Sequence, residues 1–389
     1  MSSTMRKKID IQNMSILIVD DVKTMRSIIR KMLKTLNIGN VLHLAENGLE
    51  GLRILNSTRV DLAIIDWKMP IMGGRQMLET IRNDTSLRDL PVLIVTAESE
   101  KEIVLEAAEI EVEGYLIKPL TPAVLDEKIK SIVDELNHPD QATIHRLKAR
   151  ELEENQEFEA AIEHLKHAAL LKPSASRILR HLGLLYQKAG NEKAMESCLK
   201  KAAGVNPQDV VTRQLLGEFH WKHNDLIQAA EYYLEVISQT RKFSDRVVDL
   251  GEALLEKKLP RIAKNLFSKI ISGNLKELPI RERILEICIK HEEYEYSKNL
   301  LTFLIKEYPS NYDLMYQAGI VYELSRDSDK ALECFFIVDK YQGSRIDVKL
   351  KIARILYERE KMIQADNYLN KVLLKDPQNQ EALALRRLL

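Results

Sequence analysis

Ser15-Ile16-Leu17-Ile18-Val19-Asp20-Asp21 is the stretch on which the fold turns. A short apolar run closed by two aspartates reads as a buried strand with acidic residues at its carboxyl end. The pattern repeats outward from there. Residues 22–36 have helical spacing, 41–45 are strand-like, 47–56 helical, and 62–65 form a second fully apolar run that ends at Asp66. Residues 75–82 are helical, 92–95 a strand before Thr96, 100–109 helical, 115–117 a strand before Lys118, and 122–136 a last helix. Strict alternation of strand and helix predicts a five-stranded parallel sheet with helices on both faces, an α/β doubly wound domain over 12–136. Sites in such sheets lie beyond the carboxyl ends of the strands, so Asp20, Asp21, Asp66, Thr96 and Lys118 are expected to meet at one edge.

The β-rich runs stop at Asn137-His138-Pro139-Asp140-Gln141, read as a short linker over 137–141. Beyond it the pattern is helical to the end and repeats with a period of 34 residues. One register carries Ala161, Met195, Ala229, Ala263, Ser297, Ala331 and Ala365. A second carries Ala149, Gly183, Gly217, Gly251, Leu285, Gly319 and Ala353. A third is bulky, with Leu165, Leu199, Tyr233, Phe267, Leu301, Phe335 and Leu369. Prolines recur at 173, 207, 309 and 377. Small residues let two helices approach, the large one fills the space beside them, and proline stops the second helix. This pattern resembles tetratricopeptide repeats. About seven of them would fill 142–379 as an all-α superhelix, with 380–389 as a capping helix.

The 389 residues are 45% hydrophobic and 30% charged, the balance of a globular protein. With 58 basic and 58 acidic side chains the net charge is zero, which argues against a nucleic-acid surface. No apolar run is long enough to cross a membrane. Three scattered cysteines suit a reducing compartment, and a cytoplasmic location is expected.

Three carboxylates at close range repel one another, and a hard divalent cation among them relieves that. A carboxylate beside Mg²⁺ can attack a phosphoryl group, with a lysine and a hydroxyl stabilising the charge that develops. The acidic pair, the Asp66-Trp67-Lys68-Met69-Pro70 segment, Thr96-Ala97 and Lys118-Pro119 together resemble the receiver domain of two-component response regulators. The segment Val19-Asp20-Asp21-Val22-Lys23-Thr24-Met25-Arg26 is similar to the chemotaxis regulator type.

The resemblance implies that Asp66 is the phosphoacceptor. It also implies that Asp20, Asp21, Asp66 and the backbone carbonyl of Lys68 hold Mg²⁺. Lys118 would pair with phosphoryl oxygens, Thr96 would donate its hydroxyl, and Tyr115 would swing inward as Thr96 moves. A cis bond is implied before Pro119. Gly73 stands where the family often has Asp or Asn, a departure expected to change only the turn after Pro70. Lys68 and Glu98 occupy positions that tune phosphoryl lifetime in the family, and an ion pair between them would slow hydrolysis.

Glu218, Glu252 and Glu286 recur every 34 residues beside the small-residue register, with Glu282 one turn before Glu286. Arg146, Arg177 and Arg180 lie on the corresponding face of the earliest repeats. These residues suit either a groove for a basic segment of a partner protein or solvated charge. Leu184 and Glu218 stand where the carboxylate-clamp subtype has asparagine, so that clamp is not expected. His164 and His167 share a helix face, but the sequence offers no third ligand at a metal spacing.

The expected function is a response regulator phosphorylated on Asp66 by a sensor histidine kinase or phosphotransfer protein, with repeats that bind another protein according to that state. The alternative is a competitor or phosphate sink that occupies a kinase or relay protein. No recognition helix or second catalytic constellation is evident, so neither DNA binding nor an enzymatic output beyond self-phosphorylation and self-dephosphorylation is expected.

Overall fold

A computed structural model describes residues 8–84, 86–97, 112–272 and 278–389. Five parallel strands, β1 (Ser15–Val19), β2 (Val41–Ala45), β3 (Leu62–Asp66), β4 (Val92–Thr96) and β5 (Gly114–Ile117), form one sheet in the order β2-β1-β3-β4-β5. The alternation of strand side chains divides the apolar residues between two cores. Ile16, Ile18, Ile64, Leu93 and Val95 face α1 (Lys23–Thr35) and α4 (Pro122–Asn137). Leu17, Val19, Ile65 and Ile94 face α2 (Gly48–Ser57) and α3 (Gly74–Asn83). The helix expected over 100–109 lies outside the described residues. Asn137 at the end of α4 receives the amide of Ile9 at 2.7 Å and returns a bond to its carbonyl at 2.8 Å, tying the start of the domain to its end.

The remainder is all-helical, and the chain divides into two compact units, 1–223 and 224–389. The first unit contains the sheet domain, hairpins Gln141–Glu154 with Phe158–Leu171 and Ser176–Lys188 with Glu192–Val205, and helix Val210–Lys222. The second begins with Leu226–Gln239. It continues through four described hairpins, whose first helices start at Ser244, Leu278, Tyr312 and Ile346, and closes with Gln380–Arg386. Those starts are 34 residues apart, matching the sequence period.

The small and bulky registers meet inside each hairpin. A Cβ added at Gly183 would lie 3.1 Å from Leu199, and one at Gly319 would lie 2.5 Å from Phe335. Gly251 presses still closer on the ring of Phe267. Leu199, Phe267 and Phe335 are buried there. Cys288 and Cys334 are buried too, which pushes their thiols up to about 12 and about 11. Asp209 caps Val210–Lys222 by accepting the Thr212 amide at 3.0 Å, and Asn311, Asp327 and Asn379 cap later helices in the same way. Among the described residues, no helix is long and apolar enough to cross a membrane.

Candidate functional site

The strand order reverses direction between β1 and β3, and the acidic residues gather there. Asp20 follows β1 directly and is 1% exposed; Asp66 ends β3 and is 7% exposed. Asp21 is exposed at the rim, yet one carboxylate oxygen from each of the three lies within 4.8 Å of the others. Local bonds fix the loop after β1. Asp20 accepts the Val22 amide at 2.8 Å, while the Arg26 guanidinium donates to the carbonyls of Asp20 at 2.5 Å and Asp21 at 3.1 Å.

Lys118, one residue past β5, brings its ammonium to Asp20 at 2.8 Å and Asp66 at 3.1 Å. Burial, the largest influence on Asp66, raises its carboxyl pKa together with the Asp20 charge, and the net rise persists against the lowering by the Lys118 ammonium. Burial works against the Lys118 ammonium, but the two carboxylates outweigh it and raise its pKa. Thr96 ends β4 at the same edge and is 3% exposed. The Lys118–Pro119 peptide is cis. Three carboxylates, two of them buried and sharing a single ammonium between them, are a donor set suited to a hard divalent cation such as Mg²⁺.

Tyr115 projects outward from β5 and is 45% exposed. Lys68 is exposed beside the site, whereas Glu98 lies outside the described residues. Trp67 is buried in the core beneath α2 and α3. Gly73 precedes α3 and provides no side-chain cap, which is the structural effect of the missing Asp or Asn.

The charged residues assigned to the repeat face are more engaged than the sequence indicated. Arg180 binds Asp209 at 2.6 Å with its side chain 12% exposed, so it ties consecutive repeats together. Arg146 and Arg177 are half-buried, as is Glu218. In the second unit Glu252 receives the Lys290 ammonium at 2.6 Å. Glu286 is exposed, and Glu282 has a raised pKa from burial and from the charges of Glu286 and Asp313.

Sequence reasoning missed a joint between the sheet domain and the first repeat helix. Asp89, before β4, pairs with Arg150 at 3.0 Å, and its neighbour Arg88 pairs with Glu154. No spacing rule connects residues 61 and 66 positions apart, so this joint had no sequence signal.

Residues 16–130 match the response regulator receiver domain, and residues 177–209 match the tetratricopeptide repeat. Chemotaxis protein CheY-3 of Vibrio cholerae serotype O1 is 44% identical over 125 residues, which are 32% of this chain and 95% of that protein. Chemotaxis protein CheY of Pseudomonas aeruginosa is 44% identical over 124 residues, covering 32% of this chain and 99% of the relative. A solved structure of chemotaxis response regulator CheY4 of Vibrio cholerae is 26% identical, covers 31% of this chain and 98% of its own, and superposes with a TM-score of 0.29. The family match over 16–130 and the two curated relatives make the sheet domain a receiver. The chain belongs to the response regulator family, and its receiver is joined to tetratricopeptide repeats.

Proposed function

We propose that Asp66 accepts a phosphoryl group from a sensor histidine kinase or phosphotransfer protein, and that the phosphorylated receiver changes which protein the repeats bind. The supporting observation is the Lys118 ammonium, which bridges Asp20 and Asp66 at 2.8 and 3.1 Å at the buried edge where Thr96 also ends its strand. Asp20, Asp21 and Asp66 would hold Mg²⁺, which when bound supplies positive charge against the incoming phosphoryl oxygens.

An Asp66 carboxylate oxygen forms the bond to phosphorus as the bond to the donor breaks. Lys118 then trades its contact with Asp66 for one with a phosphoryl oxygen, and Thr96 donates its hydroxyl to another. The state of the receiver reaches the first repeat through the joint of Asp89 with Arg150 and Arg88 with Glu154. No separate catalytic output belongs to this reading; the repeats act by binding protein.

Two measurements test it. Acetyl phosphate with Mg²⁺ should add one phosphoryl group to the wild type and none to Asp66→Asn, by intact mass. A pull-down with beryllofluoride-activated and untreated full-length protein should then capture a target in one state only. Labelling that persists in Asp66→Asn removes the phosphoacceptor assignment. Capture of only a kinase or relay protein, equally in both states, replaces the adaptor reading with a competitor or phosphate sink.

A further inference from the structure

His164 and His167 stand one helical turn apart on Phe158–Leu171, and the fold brings a third imidazole to them. His145, on the facing helix Gln141–Glu154, places its Nδ1 2.9 Å from Nδ1 of His164. Its ring also stacks on His167, with centroids 5.1 Å apart and planes inclined by 27°. The His145 and His164 centroids are likewise 5.1 Å apart. Three imidazoles thus share one face of the first hairpin, and among the described residues no carboxylate is hydrogen-bonded to any of them. The nearby Lys148 gives its own ammonium to Glu151 at 2.9 Å.

We propose that His145, His164 and His167 form a binding site for a borderline divalent transition metal ion such as Zn²⁺ or Ni²⁺. Neutral imidazole is the preferred nitrogen ligand of these ions. With metal–nitrogen bonds of about 2.0–2.1 Å, two ligands of a tetrahedral ion lie about 3.3 Å apart. The His145 and His164 nitrogens reach that spacing by opening from 2.9 Å, as the hydrogen bond between them gives way to two metal bonds. The nitrogens of the three rings do not all lie within 4.8 Å of one another, so His167, which is exposed, would have to turn its ring toward the other two to complete the set, leaving the fourth position to water.

Each ring must be unprotonated at its ligating nitrogen to bind the ion. The site would also lock the two helices of the first hairpin together by a cross-link that the apolar packing alone does not provide. It differs in kind from the receiver's all-oxygen site, which selects hard ions.

Titration calorimetry of the full-length protein with ZnCl₂ and NiCl₂, in millimolar Mg²⁺ to occupy the carboxylate site, tests the proposal. One equivalent should bind, with affinity falling at least tenfold in each of His145→Ala, His164→Ala and His167→Ala. Cobalt substitution should give the absorption of a nitrogen-ligated ion in the wild type and lose it in His167→Ala, whose exposed position leaves folding intact. Absence of saturable binding overturns the site. So does binding that survives His145→Ala and His167→Ala unchanged.

Discussion

Arg150, on the first repeat helix, holds Asp89 of the receiver at 3.0 Å, and one turn further along Glu154 holds Arg88. Adjacent residues of opposite sign on the receiver therefore meet residues of opposite sign spaced i, i+4 on the helix. Such a crossed arrangement favours one seating, because sliding the helix by a turn would set like charges together. Arg150→Asp should weaken the joint by about 1 kcal/mol, and the swap Asp89→Arg with Arg150→Asp should recover part of that. A double-mutant cycle on the melting temperature checks it, with hydrogen exchange in Gln141–Glu154 as the local readout. Additive losses would show that the two residues do not interact.

Lys118 is the only cation that bonds to the carboxylates of Asp20 and Asp66 among the described residues, and both carboxylates are buried. Lys118→Ala leaves them repelling one another, at a cost of about 3 kcal/mol to the receiver in the absence of divalent ions. Millimolar Mg²⁺ should restore much of this, so its effect on the melting temperature should be larger in Lys118→Ala than in the wild type. Thermal melts with and without EDTA compare the two.

Glu153 receives His181 and Lys188, each at 2.7 Å, and its side chain is 18% exposed. The His181 bond leads in holding its carboxyl down to about 2, against the opposing effect of burial. A carboxyl depressed on folding stabilises the protein fully above its unfolded pKa and loses that contribution as pH falls toward the folded value. Wild type should therefore exceed Glu153→Gln by up to roughly 3 kcal/mol at pH 6. That advantage should shrink steadily between pH 4.5 and about 2. Urea midpoints measured across this range give the comparison; a constant difference would contradict the assignment.

Two glycines of the repeats should respond to substitution with opposite sign. Gly251 presses on the Phe267 ring, so Gly251→Val forces the buried ring aside and costs about 2 kcal/mol. Gly204, near the end of Glu192–Val205, has nothing within 4 Å of an added Cβ. Gly204→Ala should stabilise by about 0.5–1 kcal/mol through helix propensity alone. Urea denaturation followed by circular dichroism at 222 nm reads both.

Lys68 is exposed on the β3–α3 loop, two residues past Asp66. Lys68→Ala should shorten the phosphoryl half-life several-fold without altering Mg²⁺ affinity. Decay of radiolabelled protein measures the first, and Trp67 fluorescence during Mg²⁺ titration measures the second. An unchanged half-life would remove Lys68 from the control of hydrolysis.

The sequence by itself determined the periodic features. Residues 16–19 and 62–65 are apolar without interruption, so their strands had to be buried on both faces, and residues 20, 66, 96 and 118 had to emerge at one edge. The 34-residue period likewise determined that Gly183 would meet Leu199 and Gly319 would meet Phe335, because both lie within one hairpin. Tertiary structure decided the pairings that no period encodes. It gave Arg180 to Asp209, Glu252 to Lys290, Asp89 to Arg150 and His145 to His164. The physical reason lies in the reach of each kind of signal. Burial is imposed on every turn or alternate residue and so leaves a pattern, whereas a charge or an imidazole finds its partner only after separate elements have packed.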